Sequence, residues 1–226
     1  MALIATLVAS DDTAHDHEHD DKAPIDPKAA EQMTRTHNEL RGNVYPSATN
    51  MLQLTYDQGL ADLAQQWSAQ CKYSHNPAAS TADFENVGEN LFLSTKATNA
   101  SFDLHTAALQ WWSERDLFDY RSNSCEEGQV CSHYTQMVWA ESRAIGCGMS
   151  ICKNLSVGEQ LIESGQIIVC NYGPRGNIVD VLPYKEGSGC SECPEGKVCV
   201  CGAAAVKLSA LVAAMALMHV LFVAFF

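Results

Sequence analysis

Apolar positions recur along the chain at two different periods. In "PIDPKAAEQMTRTHNELRGNVYP", Met33, His37 and Leu40 fall on one face of a helix that Pro27 opens and Gly42 and Pro46 close. "DQGLADLAQQWSAQCKYSH" predicts a second helix, with Leu60, Leu63, Ala64, Trp67 and Cys71 as its stripe. "DLHTAALQWWSERDLFDY" predicts a third, with Leu104, Ala108, one of Trp111 and Trp112, and Arg115 at helical spacing. The pattern then changes to two short strands, "AIGCGMSIC" and "GQIIVCNYG", the second closed by the turn-rich "GPRGN". Helices followed by strands and long loops predict an α+β sandwich in which helices cover a small sheet.

The two ends of the chain read differently. "MALIATLVAS" is similar to the apolar core of a signal peptide, without the basic residues that normally precede one. "SDDTAHDHEHDD" follows as a solvated acidic run. Its His15, His17 and His19 could hold Zn2+ or Cu2+ loosely; a solvated spacer is the simpler reading. Leu208–Phe226 is an apolar run of bilayer-spanning length, preceded by the small residues Gly202, Ala203 and Ala204. This pattern favours a lipid-anchor signal over a spanning helix. The expected organisation is a leader (1–27), a main domain (28–185), a cysteine-rich hinge (186–201) and an anchor or membrane segment (202–226).

Charge and cysteine content narrow the function. A net charge of −13 with only 14 scattered Lys and Arg argues against nucleic acid as a partner, because phosphate binding needs a basic patch. Ten cysteines indicate disulfides and an oxidising compartment. "CSEC" followed by "CVC" is too tightly spaced for a zinc ribbon, so the hinge depends on its four cysteines to fold. Two N-x-S/T sequons, at Asn99 and Asn154, fit a secreted chain.

"HYTQMVWAES" and "IIVCNYGPRGNI" resemble the two signatures of the CAP superfamily (cysteine-rich secretory proteins, antigen five and pathogenesis-related proteins). "SHNP", "GENL" and "WWSERDLFDY" precede the first signature in the family's order, and the resemblance covers roughly residues 28 to 185. Together with the hinge and the apolar tail, the chain is most similar to the membrane-tethered peptidase-inhibitor-like and glioma-pathogenesis-related branches. Ser132 departs from the glycine or charged residue usual before the signature histidine. The resemblance implies a three-layer αβα sandwich. It also implies the disulfides Cys71–Cys152, Cys125–Cys131 and Cys147–Cys170, with Cys190–Cys199 and Cys193–Cys201 in the hinge.

The resemblance further implies a cleft holding His75, Glu89, Glu114 and His133. Two imidazoles can ligate Zn2+ or another divalent metal, and carboxylates can orient the rings or a bound water. Three readings stand open: reversible metal binding that reshapes a partner surface, hydrolysis by glutamate-activated water, and a buried hydrogen-bonded network that only fixes loops. The chain has no H-E-x-x-H, and Ser74 and Ser132, beside the histidines in extended segments, would point away from them. Binding is therefore expected rather than catalysis, with an extracellular protein or a lipid as partner and the membrane reached through the C-terminal anchor. Sterol or fatty-acid carriage would use apolar walls, for which Trp111, Trp112, Phe118 and Tyr120 are candidates, although such a stripe more often belongs to a core. The branch name also implies protease inhibition, yet no segment resembles a rigid reactive loop.

Overall fold

The structure, a computed structural model, describes residues 25–95 and 104–202. The signal-like start, the histidine leader, the Asn99 sequon and the apolar run 208–226 lie outside the described residues.

Helix α1 (Pro27–Gly42) has the limits its sequence predicts. The Asp26 carboxylate accepts from the Lys28 and Ala29 amides, and Pro27 occupies the first turn, where a missing N–H costs nothing. Helix α2 (Gln58–Ser68) stops short of its expected end at His75. Cys71 adopts a left-handed φ of 54°, and the chain turns to run beside Ser156, whose amide and carbonyl bond Cys71 O and Tyr73 N at 3.0 and 2.7 Å. Helix α3 (Leu104–Ser113) also ends early. Glu114–Leu117 tighten into a 3-10 turn, and Phe118–Asp119 (β3) pair with Ser124–Cys125 (β4). Arg115 thus leaves the helical stripe and is exposed, with its guanidinium 4.9 Å from the Trp112 ring centre.

The main sheet is ordered β1-β5-β6-β2. Its strands are β1 (Thr55–Tyr56), β2 (Gly88–Ser94), β5 (Ala144–Val157) and β6 (Gln160–Gly173). The β5–β6 and β6–β2 pairings are antiparallel, and β1 joins β5 in parallel. Alternating residues on β5 and β6 divide the interior between the two sheet faces. Ile145, Cys147, Ile168, Cys170 and Tyr172 pack with α1 and α3, whereas Cys152, Leu155, Ile167 and Val169 pack with Ala64 of α2. Helix α2 lies directly on β5 because Gly146 and Gly148 carry no side chain; a Cβ at either would collide with the backbone at Ala61 or Gln65. The result is the αβα sandwich. The four candidate lipid-wall aromatics belong to the core: Trp111, Trp112 and Tyr120 are buried in it and Phe118 packs against it.

"GENLFLS" forms β2, which its own residue pattern does not predict, and the segment around His133, expected to be extended, is instead the short helix α4 (Ser132–Met137). The three body disulfides join the cysteines the resemblance implies. The hinge pairs differ: Cys190 joins Cys201, and Cys193 joins Cys199. A turn at Pro194–Lys197, with Gly196 at φ 72°, folds the hinge back on itself, so that near partners pair inside far ones and the bridges nest instead of crossing.

Arg41, at the end of α1, is fully buried. Its guanidinium donates to the carbonyls of Leu52, Met137, Trp139, Ala140 and Ser142, at 2.7 to 3.4 Å. Burial pulls its pKa down to about 9, which still leaves it charged at neutral pH. One turn earlier, buried His37 donates from Nδ1 to Met33 O at 2.9 Å, so its Nε2 must accept from the Tyr172 hydroxyl, also at 2.9 Å. Burial, opposed by the hydrogen bond to Met33 O and aided by the nearby Arg41 charge, lowers the His37 pKa to about 4.

Replacing Arg41 by Met strands several buried carbonyls and should cost about 3–5 kcal/mol in urea denaturation; a loss below about 1 kcal/mol would contradict the hub role. His37 is neutral in the fold but binds a proton when unfolded below about pH 6.5. Stability should therefore fall by up to about 3 kcal/mol as pH drops from 6.5 to 4. The pH dependence of His37→Gln should be shallower across that window.

Candidate functional site

His75 follows α2 in the loop that the Cys71–Cys152 bridge holds beside the sheet. Its Nδ1–H donates to Glu89 Oε1 at 2.8 Å, and the Asn76 amide donates to the same oxygen at 3.0 Å. Glu89 lies on edge strand β2. The imidazole is 66% exposed and the carboxylate 6%, so an open ring sits on a buried anion. Glu89 Oε2 is buried and has no hydrogen-bond partner among the described residues. An anion held this way favours positive charge beside it. The hydrogen bond to Glu89 raises the His75 pKa above its usual value; burial opposes the rise and the Glu89 charge adds to it.

Glu114 opens the 3-10 turn after α3 and meets His133 on α4. One oxygen accepts from His133 Nδ1 at 2.6 Å, and the other accepts from the His133 and Tyr134 amides, each at 3.1 Å. The carboxylate therefore caps the N-terminus of α4, where free amides and the helix dipole favour an anion, and fixes the ring at the same time. Cys131, the residue at the cap position itself, offers no side-chain bond. The Trp111 ring is nearly parallel to that of His133, at 6.3 Å between centres. Ser132 is exposed on α4, and its carbonyl accepts from Asn177 Nδ2 at 2.8 Å.

The four expected residues thus form two histidine–carboxylate pairs. Each pair uses Nδ1, which leaves Nε2 as the nitrogen for a further ligand. Tyr73 lies two residues before His75, and its hydroxyl pKa is pushed up by burial and then by the Glu114 charge. Among the described residues no group of three or more His, Cys, Asp and Glu side chains is placed to hold a metal. Each pair by itself would offer a cation one imidazole nitrogen, its carboxylate already engaged in fixing the ring. The donor chemistry fits such a weak site, because a ligating histidine usually donates its other ring N–H to a carboxylate.

Sequence reasoning missed the support beneath the site. Asn90 Nδ2 donates to His133 O at 3.0 Å and to the Tyr172 hydroxyl at 3.2 Å, which joins the cleft to His37. Trp111 Nε1 donates to Leu91 O at 3.1 Å, which holds the indole against both β2 and His133. Asn90 directly follows Glu89, and alternation on a strand puts it on the opposite face; once β2 is known, that signal is available.

The family model described as "CAP: Cysteine-rich secretory protein family" matches residues 34–172. GLIPR1-like protein 1 of Homo sapiens is 40% identical over 180 residues, covering 77% of this chain and 70% of that protein. Peptidase inhibitor 16 of Bos taurus is 40% identical over 167 residues, covering 74% of this chain and 34% of its own longer length. Among solved structures, the crystal structure of NaASP2 with Zn2+ is similar at a TM-score of 0.57 and 25% identity, covering 75% of this chain and 92% of that one.

In an NMR titration, the His75 ring should show a midpoint above 6.5, and Glu89→Gln should lower it. A folded pKa above the unfolded one stabilises the fold fully below about pH 6.5, and that gain disappears as pH rises through the folded midpoint. A midpoint at or below 6.5 in the native chain would contradict the pairing.

Proposed function

The chain belongs to the cysteine-rich secretory protein (CAP) family, and on that premise we propose an extracellular binding module whose two histidine–carboxylate pairs take up a divalent cation reversibly. The observation that carries this reading is that both rings give Nδ1 to a carboxylate, at 2.8 and 2.6 Å. His75 and His133 would ligate through Nε2, while Glu89 and Glu114 fix ring orientation and tautomer. The unpartnered buried oxygen of Glu89 and the Zn2+ in the similar NaASP2 structure support the same reading. A bound cation would supply positive charge and exchangeable water positions at the cleft. The residues themselves bind and orient: Glu114 cannot move without uncapping α4, whereas His75 is free to adjust at the rim.

A second reading, lipid carriage, is favoured by a different feature. A groove of about 1380 Å3 runs between α1 and α2, with Ile25, Ala30, Leu54, Tyr56 and Val200 among its lining. It differs from the aromatic wall expected from the sequence. Native mass spectrometry of the secreted protein tests it, and finding no retained or exchangeable lipid would remove it.

Calorimetric titration of the secreted protein with Zn2+ should give micromolar or weaker binding. His75→Ala combined with His133→Ala should abolish it, and Glu89→Gln should weaken it about 10–100-fold. Binding should weaken as pH falls through the raised His75 midpoint, since the ligand must be neutral. Unchanged Zn2+ affinity in the double variant would leave only the structural network.

A further inference from the structure

We propose that Asn154 is an attachment site for an N-linked glycan, placed beside the segment that carries His75. The inference rests on the extracellular reading. Asn154-Leu155-Ser156 is an acceptor sequon near the end of β5, shortly before the two-residue turn of the β5–β6 hairpin at Gly158 and Glu159. Asn154 is exposed, and its backbone is left-handed at φ 63°.

That backbone has a structural role of its own. Cys152 and Leu155 are both buried under α2 although strict alternation would put them on opposite faces, and the left-handed residue between them shifts the phase. Asn tolerates this conformation, but Gly would serve as well. The left-handed backbone therefore accounts for the residue at 154 without requiring a hydroxyl two residues later. Among the described residues the Ser156 hydroxyl reaches only Gly158 O, at 3.5 Å, too long to count as a strong bond. What Asn154 and Ser156 share is the chemistry of an acceptor: Asn154 Nδ2 attacks the anomeric carbon of a lipid-pyrophosphate-linked oligosaccharide. A C–N bond forms, the C–O bond to the pyrophosphate breaks, Nδ2 loses a proton, and the lipid pyrophosphate leaves.

Leu155 is fully buried, so the folded hairpin cannot release the sequon, and transfer must precede its docking. Ser156 bonds Cys71 and Tyr73 through its backbone, which places the sugar near the loop leading to His75.

The test uses the full chain expressed in secreting mammalian cells, with medium and lysate both analysed by peptide mass spectrometry. We expect glycan on Asn154, lost as one downward gel shift in Ser156→Ala and in Asn154→Gly, and kept in Ser156→Thr. Asn154→Gly preserves the left-handed backbone, so its secretion separates loss of sugar from loss of fold. Secreted chain with unmodified Asn154 overturns the proposal and leaves the extracellular reading intact. Chain retained in cells with neither Asn99 nor Asn154 modified overturns both.

Discussion

The Arg41 guanidinium reaches from α1 to five backbone carbonyls, and much of the molecule is arranged to keep them there. Among them is Met137 O, at the last residue of α4. Six residues are too few to hold a helix in water, so α4 depends on what grips its ends. Glu114 puts an anion on its N-terminal amides and Arg41 puts a cation on its C-terminal carbonyl, in the sense the helix dipole favours. His133 stands on a helix that exists because these two charges clamp it.

The same arrangement explains how the interior and the cleft are joined. His37 and Arg41 are one turn apart on α1, and both point inward. From His37 the hydrogen bonds run through the Tyr172 hydroxyl and Asn90 to the carbonyl of His133. Every member has a defined role as donor or acceptor, so the order of the chain is fixed. His75 lacks such a foundation. It rests on one buried carboxylate at the edge of the sheet, with most of its ring in solvent. The two pairs thus differ in rigidity, one built into the core and the other at the rim.

What could be read from the sequence follows from how local each determinant is. The limits of α1 were legible because Asp26, Pro27 and Gly42 act within a turn of their own positions. The early ends of α2 and α3 were not, since the periodicity continues past Ser68 and Ser113, and the stops depend on Ser156 and on the β3–β4 pairing. β2 is an edge strand specified by β6, and α4 by distant charges, so neither shows in its own residues. The four candidate residues were named only through motif resemblance. Their sorting into pairs, with Asn90 and Trp111 behind them, needed three dimensions. The nested hinge bridges were missed for a similar reason: the turn at Pro194–Lys197 decides which sulfurs meet.

That hinge is also sewn to the body. Backbone bonds join Glu192 to Thr49, Cys190 to Ala48, Gln53 to Val198 and Val200 to Met51, and Gly202 lies against Gly42 at the end of α1. A cysteine-rich tail of this kind might be pictured as a swivel, but here it is a bracket. The last described residue, Gly202, is thus held against the same helix that carries Arg41, and the hinge and the Arg41 hub share one rigid support.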